Sequence, residues 1–270
     1  MLKVRRAGFT LPDLMIGMVL LALIATVAVQ MLLGFVRTQR AERERASLEA
    51  AFDAALGYFA VELADLAPSD LQSLSRDSME YRAMRTTGLA CLVAAGEVRL
   101  LTQSLSGSRQ PQAGRDSLLL YVGQTAGSIH PDWITLPILA VSGSMCGARP
   151  ALRLATTIDT VRIPPATLPA LAPAATFERM QVRLYQSLGA TWLGARSVSA
   201  GETVQPLAGP FERPGPGLAF LDSAGDPTSV VTTVRQVELT LSGVAAGWNG
   251  APAAHSASAT LRLSPANLQP

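Results

Sequence analysis

The stretch "LMIGMVLLALIATVAVQMLLGFV", residues 14–36, is apolar except for Gly17, Thr26, Gln30 and Gly34. A run of about twenty such residues matches the hydrocarbon thickness of a bilayer, so it predicts a membrane helix. A secretory signal would have a shorter apolar region and a small-residue exit, and "LLGFVRTQRAERERA" (32–46) offers no Ala-x-Ala site. The segment is therefore expected to stay attached.

Downstream, "RTQRAERERASLEAAFDAALGYFAVELADLAP" (37–68) has no proline before Pro68 and is rich in good helix formers. Leu48, Phe52, Leu56, Phe59, Leu63 and Leu66 recur at helical spacing, which predicts one amphipathic stripe. Arg40 with Glu44 and Arg45 with Glu49 are placed to pair on the solvated face. A helix from about Leu14 to Leu66 would be ~80 Å long at 1.5 Å per residue.

Upstream, Arg5-Arg6-Ala7-Gly8 precedes Phe9-Thr10-Leu11-Pro12-Asp13 and the apolar run. This order resembles the class III signal of type IV pilins and type II secretion pseudopilins, in which a short basic leader ends in Gly and the mature chain opens on Phe. The resemblance implies that a prepilin peptidase cleaves between Gly8 and Phe9 and methylates the Phe9 amine. It also gives Asp13 a role. The family's fifth mature residue, usually Glu, pairs with the terminal amine of a neighbouring subunit during assembly. Asp13 keeps the charge but is one methylene shorter, which bears on how closely this docking follows the family. A carboxylate at the hydrocarbon edge costs a few kcal/mol unless paired, so its presence points to function. Asp13 also suits a helix N-terminus on dipole grounds, and Pro12 suits an opening turn; the two roles are compatible.

The leader cations favour a cytoplasmic N-terminus, whereas Arg37, Arg40, Arg43 and Arg45 beyond the span count against it. The pilin-type leader decides for a single-pass protein of the bacterial inner membrane with a periplasmic C-terminal domain, passing later into a filament or to the cell surface. In that oxidising compartment Cys91 and Cys146 are most simply one disulfide, the alternative being two free buried thiols. Closing that loop would add roughly 4 kcal/mol in the chain-entropy description.

After Pro68 the pattern becomes short β-type runs. "GLACLVA" (88–94) with "EVRLLTQSL" (97–105) reads as a hairpin, followed by "DSLLLYVG" (116–123), "WITLPILAV" (133–141), "QVRLYQSLG" (181–189), "TWLGARSV" (191–198), "GLAFLDSAG" (217–225), "VRQVELTLSG" (234–243) and "SATLRLSP" (258–265). "PPATLPALAPAA" (164–175) is read as a surface loop. Asp222 and Gly225 supply a turn before a strand in which Val237, Leu239 and Leu241 alternate onto one face. This order resembles the head of larger minor pilins and J-type minor pseudopilins. The fold class expected is α+β, a long N-terminal helix packed on a mostly antiparallel sheet. The segments are leader 1–8, membrane helix 9–36, amphipathic continuation 37–67 and head 68–270.

A formal net charge of +2 over 270 residues, part of it in the leader, gives no basic domain for nucleic acid. No Gly-x-Ser-x-Gly elbow, phosphate-binding loop, His-Glu-x-x-His helix or dinucleotide fingerprint is present. His130 and His255 are isolated, so no metal site is expected. Asp65 with Asp70 and Asp222 with Asp226 lack the density for calcium. The expectation is a non-enzymatic minor pilin without cofactors that primes or caps a filament. Its partners would be the prepilin peptidase, other pilin or pseudopilin subunits and the inner membrane. The rival readings are a minor pseudopilin of a type II secretion system, a tip adhesin or DNA-uptake subunit, and a membrane-tethered periplasmic enzyme.

Overall fold

The computed structural model describes residues 11–64, 66–123, 132–158, 171–212, 217–246 and 251–263. The fold is α+β. One helix, α1 (Leu11–Glu62), precedes a head of antiparallel strands. The chain divides into two compact units, Met1–Ala50 with Val244–His255, and Ala51–Gly243 with Ser256–Pro270.

Through Val36 the apolar side chains of α1 are exposed. Of its polar interruptions, Thr26 is satisfied within the helix, its hydroxyl donating to the Ala22 carbonyl at 2.8 Å. Among the described residues this is the one helix long and apolar enough to cross a membrane. Of the two surface pairs expected, only Arg45 with Glu49 approaches, at 4.0 Å, among the described residues. At that distance and exposure it contributes little.

Within the second unit, the end of α1 buries Phe52, Ala55 and Phe59, and the chain continues with buried Leu63 and Leu66. Two details differ from the expected stripe. The helix ends at Glu62 rather than near Leu66, because the Leu66 N–H bonds back to Leu63 and tightens the chain toward the short helix Pro68–Asp70. Ala55, fully buried, takes the central position, and Leu56 is only half-buried on the flank. A small residue where helix and sheet meet lets the backbones approach, and the stacked rings of Phe52 and Phe211, 5.7 Å apart, fill the space beside it.

The larger sheet contains β1 (Leu71–Ser75), β2 (Ser78–Ala94), β3 (Glu97–Leu101), β4 (Ser106–Gly107), β5 (Asp116–Gly123), β6 (Asp132–Pro137), β7 (Ala140–Cys146), β8 (Arg149–Ala155), β9 (Ala172–Ser187), β10 (Ala190–Ser197) and β11 (Gln205–Phe211). Its main path runs β11-β10-β9-β2-β3-β8-β7; β1 and β4 also pair with β2, and β5 joins β9 to β6. The backbone of the sheet is the pair β2 and β9, in register from Ser78↔Arg183 to Ala90↔Ala172. β12 (Gly217–Leu221), β13 (Gln236–Ala246) and β14 (Pro252–Arg262) form a second sheet in the order β12-β13-β14. Its buried Val237, Leu239 and Leu241 alternate as expected. The Asp222 carboxylate accepts the Ala224 and Asp226 N–H groups at 2.8 and 3.0 Å, so it serves the turn that Gly225 closes with φ +88°.

One face of β9 explains the core. Leu184, Val182 and Met180 share a face with Met79, Tyr81, Leu193 and Ala195, and the Tyr81 hydroxyl meets that of Tyr58 on α1 at 3.0 Å. Further along β9, Ala174 and Ala172 on the same parity enter a second core with Leu118, Leu120, Val98, Leu100 and Leu154. Glu178 stands at the changeover.

Several strands are longer or more numerous than the sequence reading has them. Residues 78–87 extend β2 upstream of the expected hairpin, β8 and β11 are additional, and "WITLPILAV" breaks after Pro137 into β6 and β7. The expected loop 164–175 is corrected at its end, where Ala172–Ala175 are central strand; residues 164–170 lie outside the described set. Pro173 fits there for a specific reason. The Leu89 N–H opposite it points away from β9 to the Ser104 hydroxyl, 3.0 Å, so Leu89 and Pro173 form a non-hydrogen-bonded pair. The missing donor of Pro173 then faces the side on which the pairing of β5 with β9 has already stopped, at Leu120↔Ala174, while β5 runs on to Gly123 beside β6.

The β9–β10 hairpin turns through Leu188, φ +51° and 103% exposed, followed by Gly189 at φ +79°. Leucine is a poor choice for the left-handed region and gains nothing from burial here. Leu188→Asn is expected to raise stability by about 0.5–1 kcal/mol, read as a higher thermal midpoint; an unchanged or lower midpoint would show that the turn is not under this strain.

Candidate functional site

The residues singled out from sequence fall in three places. Gly8 and Phe9, with the whole leader, lie outside the described residues, as do His130 and Asp65. Asp13 occupies the first turn of α1, exposed, two residues after the helix begins at Leu11. There a carboxylate meets the positive end of the helix dipole. Cys91 and Cys146 form a disulfide with Cα atoms 6.3 Å apart. Cys91 lies in a β-bulge of β2, between the register pairs Ala90↔Leu100 and Leu92↔Arg99. Cys146 ends β7. Because β3 and β8 lie between β2 and β7 in the sheet order, the bond ties the tip of the β7–β8 hairpin back across β3. The Arg99 guanidinium assists by donating to the Met145 carbonyl at 2.9 Å.

The cluster that sequence reading missed surrounds Glu178, whose side chain is 1% exposed. Arg85 is the extra residue of a second bulge in β2, between Met84↔Phe177 and Thr86↔Thr176. That bulge aims its guanidinium at Glu178 (3.0 Å) and at Glu62 in the last turn of α1 (2.9 Å). Arg109 forks onto Asp116 with two bonds of 2.6 Å and reaches Glu178 at 3.1 Å. Arg115 bridges Glu178 and Glu202, 2.5 and 2.7 Å away. The connection carrying Arg109 crosses the bulge closely. Gly107 has φ +146°, and a Cβ there would stand 2.1 Å from the Arg85 carbonyl oxygen, so only glycine fits.

Burial alone would raise the Glu178 carboxyl, but the Ser197 hydroxyl and the Arg109 and Arg85 guanidiniums hold it below the usual range. For Arg85, burial opposes the charge, and the bonds to Glu62 and Glu178 more than offset it. Nearby, burial pushes Tyr58 up to about 12 despite its hydrogen bond with Tyr81, whose own hydroxyl is also raised by burial. Both phenols are neutral at physiological pH and act as a hydrogen-bonded pair. The arrangement satisfies charges across α1, β2, β5, β9 and the β10–β11 turn. Its chemistry is that of a clasp.

The signal for this cluster was present as parity. Glu178 falls in step with Met180, Val182 and Leu184, and Asp116 with Leu118, Leu120 and Val122. A charge on the buried parity of a strand needs a buried partner.

Comparison with known proteins adds no relative: no protein-family model matches the chain, and neither the curated proteins nor the solved structures returned a match.

Proposed function

We propose that this chain is a minor pilin, a prepilin-type subunit that primes or caps an inner-membrane filament. The observation that supports the reading is the order of three features in one chain. A basic leader ending in Gly8 is followed by Phe9 and, from Leu11, a 52-residue helix. That helix is apolar and exposed through Val36, and its final turns are buried in the second unit with the β sheet. In such a subunit the apolar half of α1 exchanges lipid for the helices of neighbouring subunits, and the head selects the partners. Asp13 neutralises the amine created at Phe9 of an adjacent subunit, removing two charges from the apolar environment together. The same parts would serve a minor pseudopilin of a type II secretion system; co-purification with that machinery instead of with pilus subunits decides for it.

The test exchanges the carboxylate. Asp13→Ala is expected to lower the amount of the chain in sheared filaments by at least about tenfold, while Asp13→Glu incorporates at least as well as the natural residue. Equal incorporation of Asp13→Ala, with leader processing intact, would contradict the reading.

A further inference from the structure

β7 ends the path of the larger sheet, and among the described residues it pairs only with β8, from Ala140↔Ala155 to Cys146↔Arg149. Its sequence, AVSGSMC, carries no charge and no proline, and Ala140, Ser142, Gly143 and Met145 are exposed. Soluble proteins ordinarily protect such an edge with lysine, proline, an edge bulge or a covering element. Instead, β7 is held in place. The Cys91–Cys146 bond and the Arg99 bond to the Met145 carbonyl fix its end against β2 and β3. A rigid edge, unpaired among the described residues, lowers the entropic cost of adding a strand.

Beside that edge, the disulfide floors a depression of about 360 Å³ whose rim includes Leu92, Met145, Leu171, Arg99 and Arg149. Leu92, Met145 and Leu171 are 37, 49 and 43% exposed, an apolar lining open to solvent. The charge around it is basic. Glu97 is already engaged by Arg99, at 2.7 and 3.0 Å, and by Arg153, and the hydrogen bonds from Arg153 and Arg99 hold it below the usual carboxylate range. Arg149 is exposed and has no carboxylate partner among the described residues.

We propose that the free edge of β7 receives an extended segment of a partner protein as an added strand. The segment places an apolar side chain in the depression beside Cys91–Cys146 and a carboxylate against Arg149. Backbone pairing supplies affinity, and the pocket and cation supply selectivity. The net basic character of the rim selects an acidic segment, and places a second copy of β7, which brings no carboxylate, behind it. This inference concerns the head's edge and stands apart from how α1 functions.

The test uses the full chain in detergent micelles and three fluorescent, terminally blocked ten-residue peptides of alternating valine and threonine. One carries two glutamates at one end, one carries two lysines instead, and one is the glutamate peptide N-methylated at alternate amides. Fluorescence anisotropy, corrected for micelles without protein, is expected to show binding of the glutamate peptide. The lysine and N-methylated peptides should each bind at least about tenfold more weakly. Arg149→Glu should reverse the order of the glutamate and lysine peptides, and hydrogen exchange should slow in Val141–Met145 on binding. No binding of the glutamate peptide up to about millimolar overturns the proposal. So does binding indifferent to N-methylation or to charge, and so does protection of β7 that depends on protein concentration without peptide, which assigns the edge to self-pairing.

Discussion

Replacing Glu178 with alanine is expected to cost about 3–5 kcal/mol, because it leaves Arg85, Arg109 and Arg115 each without one acceptor at a buried seam, with Glu62, Asp116 and Glu202 as their remaining partners. Glu178 is the one acidic group that all three guanidiniums share, at 3.0, 3.1 and 2.5 Å. The loss should appear in urea unfolding followed by the fluorescence of the head's tryptophans, with the midpoint shifted and the slope unchanged. Removing charge on both sides, as in Glu178→Leu with Arg85→Met, should restore part of the loss, since an apolar replacement of a whole buried pair is often tolerated. The pH dependence has a defined sign. The carboxyl of Glu178 lies below its ordinary value in the folded chain, so its contribution is complete above that value and fades as pH falls through the folded one. Stability should therefore decline as pH falls below the ordinary glutamate range, and Glu178→Gln should flatten that limb. Asp70 acts oppositely: burial raises its carboxyl more than the Ala67 N–H and Arg82 lower it, so it destabilises the neutral-pH fold and that penalty shrinks in acid. A loss below 1 kcal/mol in Glu178→Ala would show that the cluster is solvated.

The second large effect belongs to the disulfide. Cys91 and Cys146 are 55 residues apart, and a closed loop of that length restricts the unfolded chain by about 4 kcal/mol. Cys91→Ala with Cys146→Ala should lower unfolding stability by that order, and so should reduction of the natural chain. The loss should be accompanied by faster hydrogen exchange in the β7–β8 hairpin, where the Arg99 bond to Met145 would be the remaining tie across β3. A drop below about 1 kcal/mol would mean that the hairpin holds its place without the bond, or that the reduced unfolded chain keeps structure there.

The helix was legible because apolar length and helical spacing are strong one-dimensional signals. Its stripe was read one residue off at Leu56 and Ala55, since hydrophobicity ranks leucine above alanine while close packing against a sheet favours the smaller side chain. In the head, short alternating strands such as Gln236–Ala246 were visible, but β2 and β9 were seen only in part. Both carry features that argue against a strand when read locally: the Arg85 bulge, the Glu178 charge and Pro173. Each is acceptable only because of what lies beside it in the sheet, namely a carboxylate, three guanidiniums and a neighbour whose pairing with β9 stops at Ala174. β8 is a strand the sequence analysis does not name, and Pro150 near its start argues against a strand when read locally. The pairing of Cys91 with Cys146 was open to sequence reading by count and compartment; that the bond crosses two strands was not, because it depends on the sheet order.

The proposed processing of the prepilin terminus ahead of α1 is open to mass spectrometry of the mature N-terminus from cells with and without the prepilin peptidase. N-methylated Phe9 is expected when the peptidase is present, and the uncut leader when it is absent. A chain still carrying Met1 in peptidase-positive cells, or one cut beyond Val36, would contradict it.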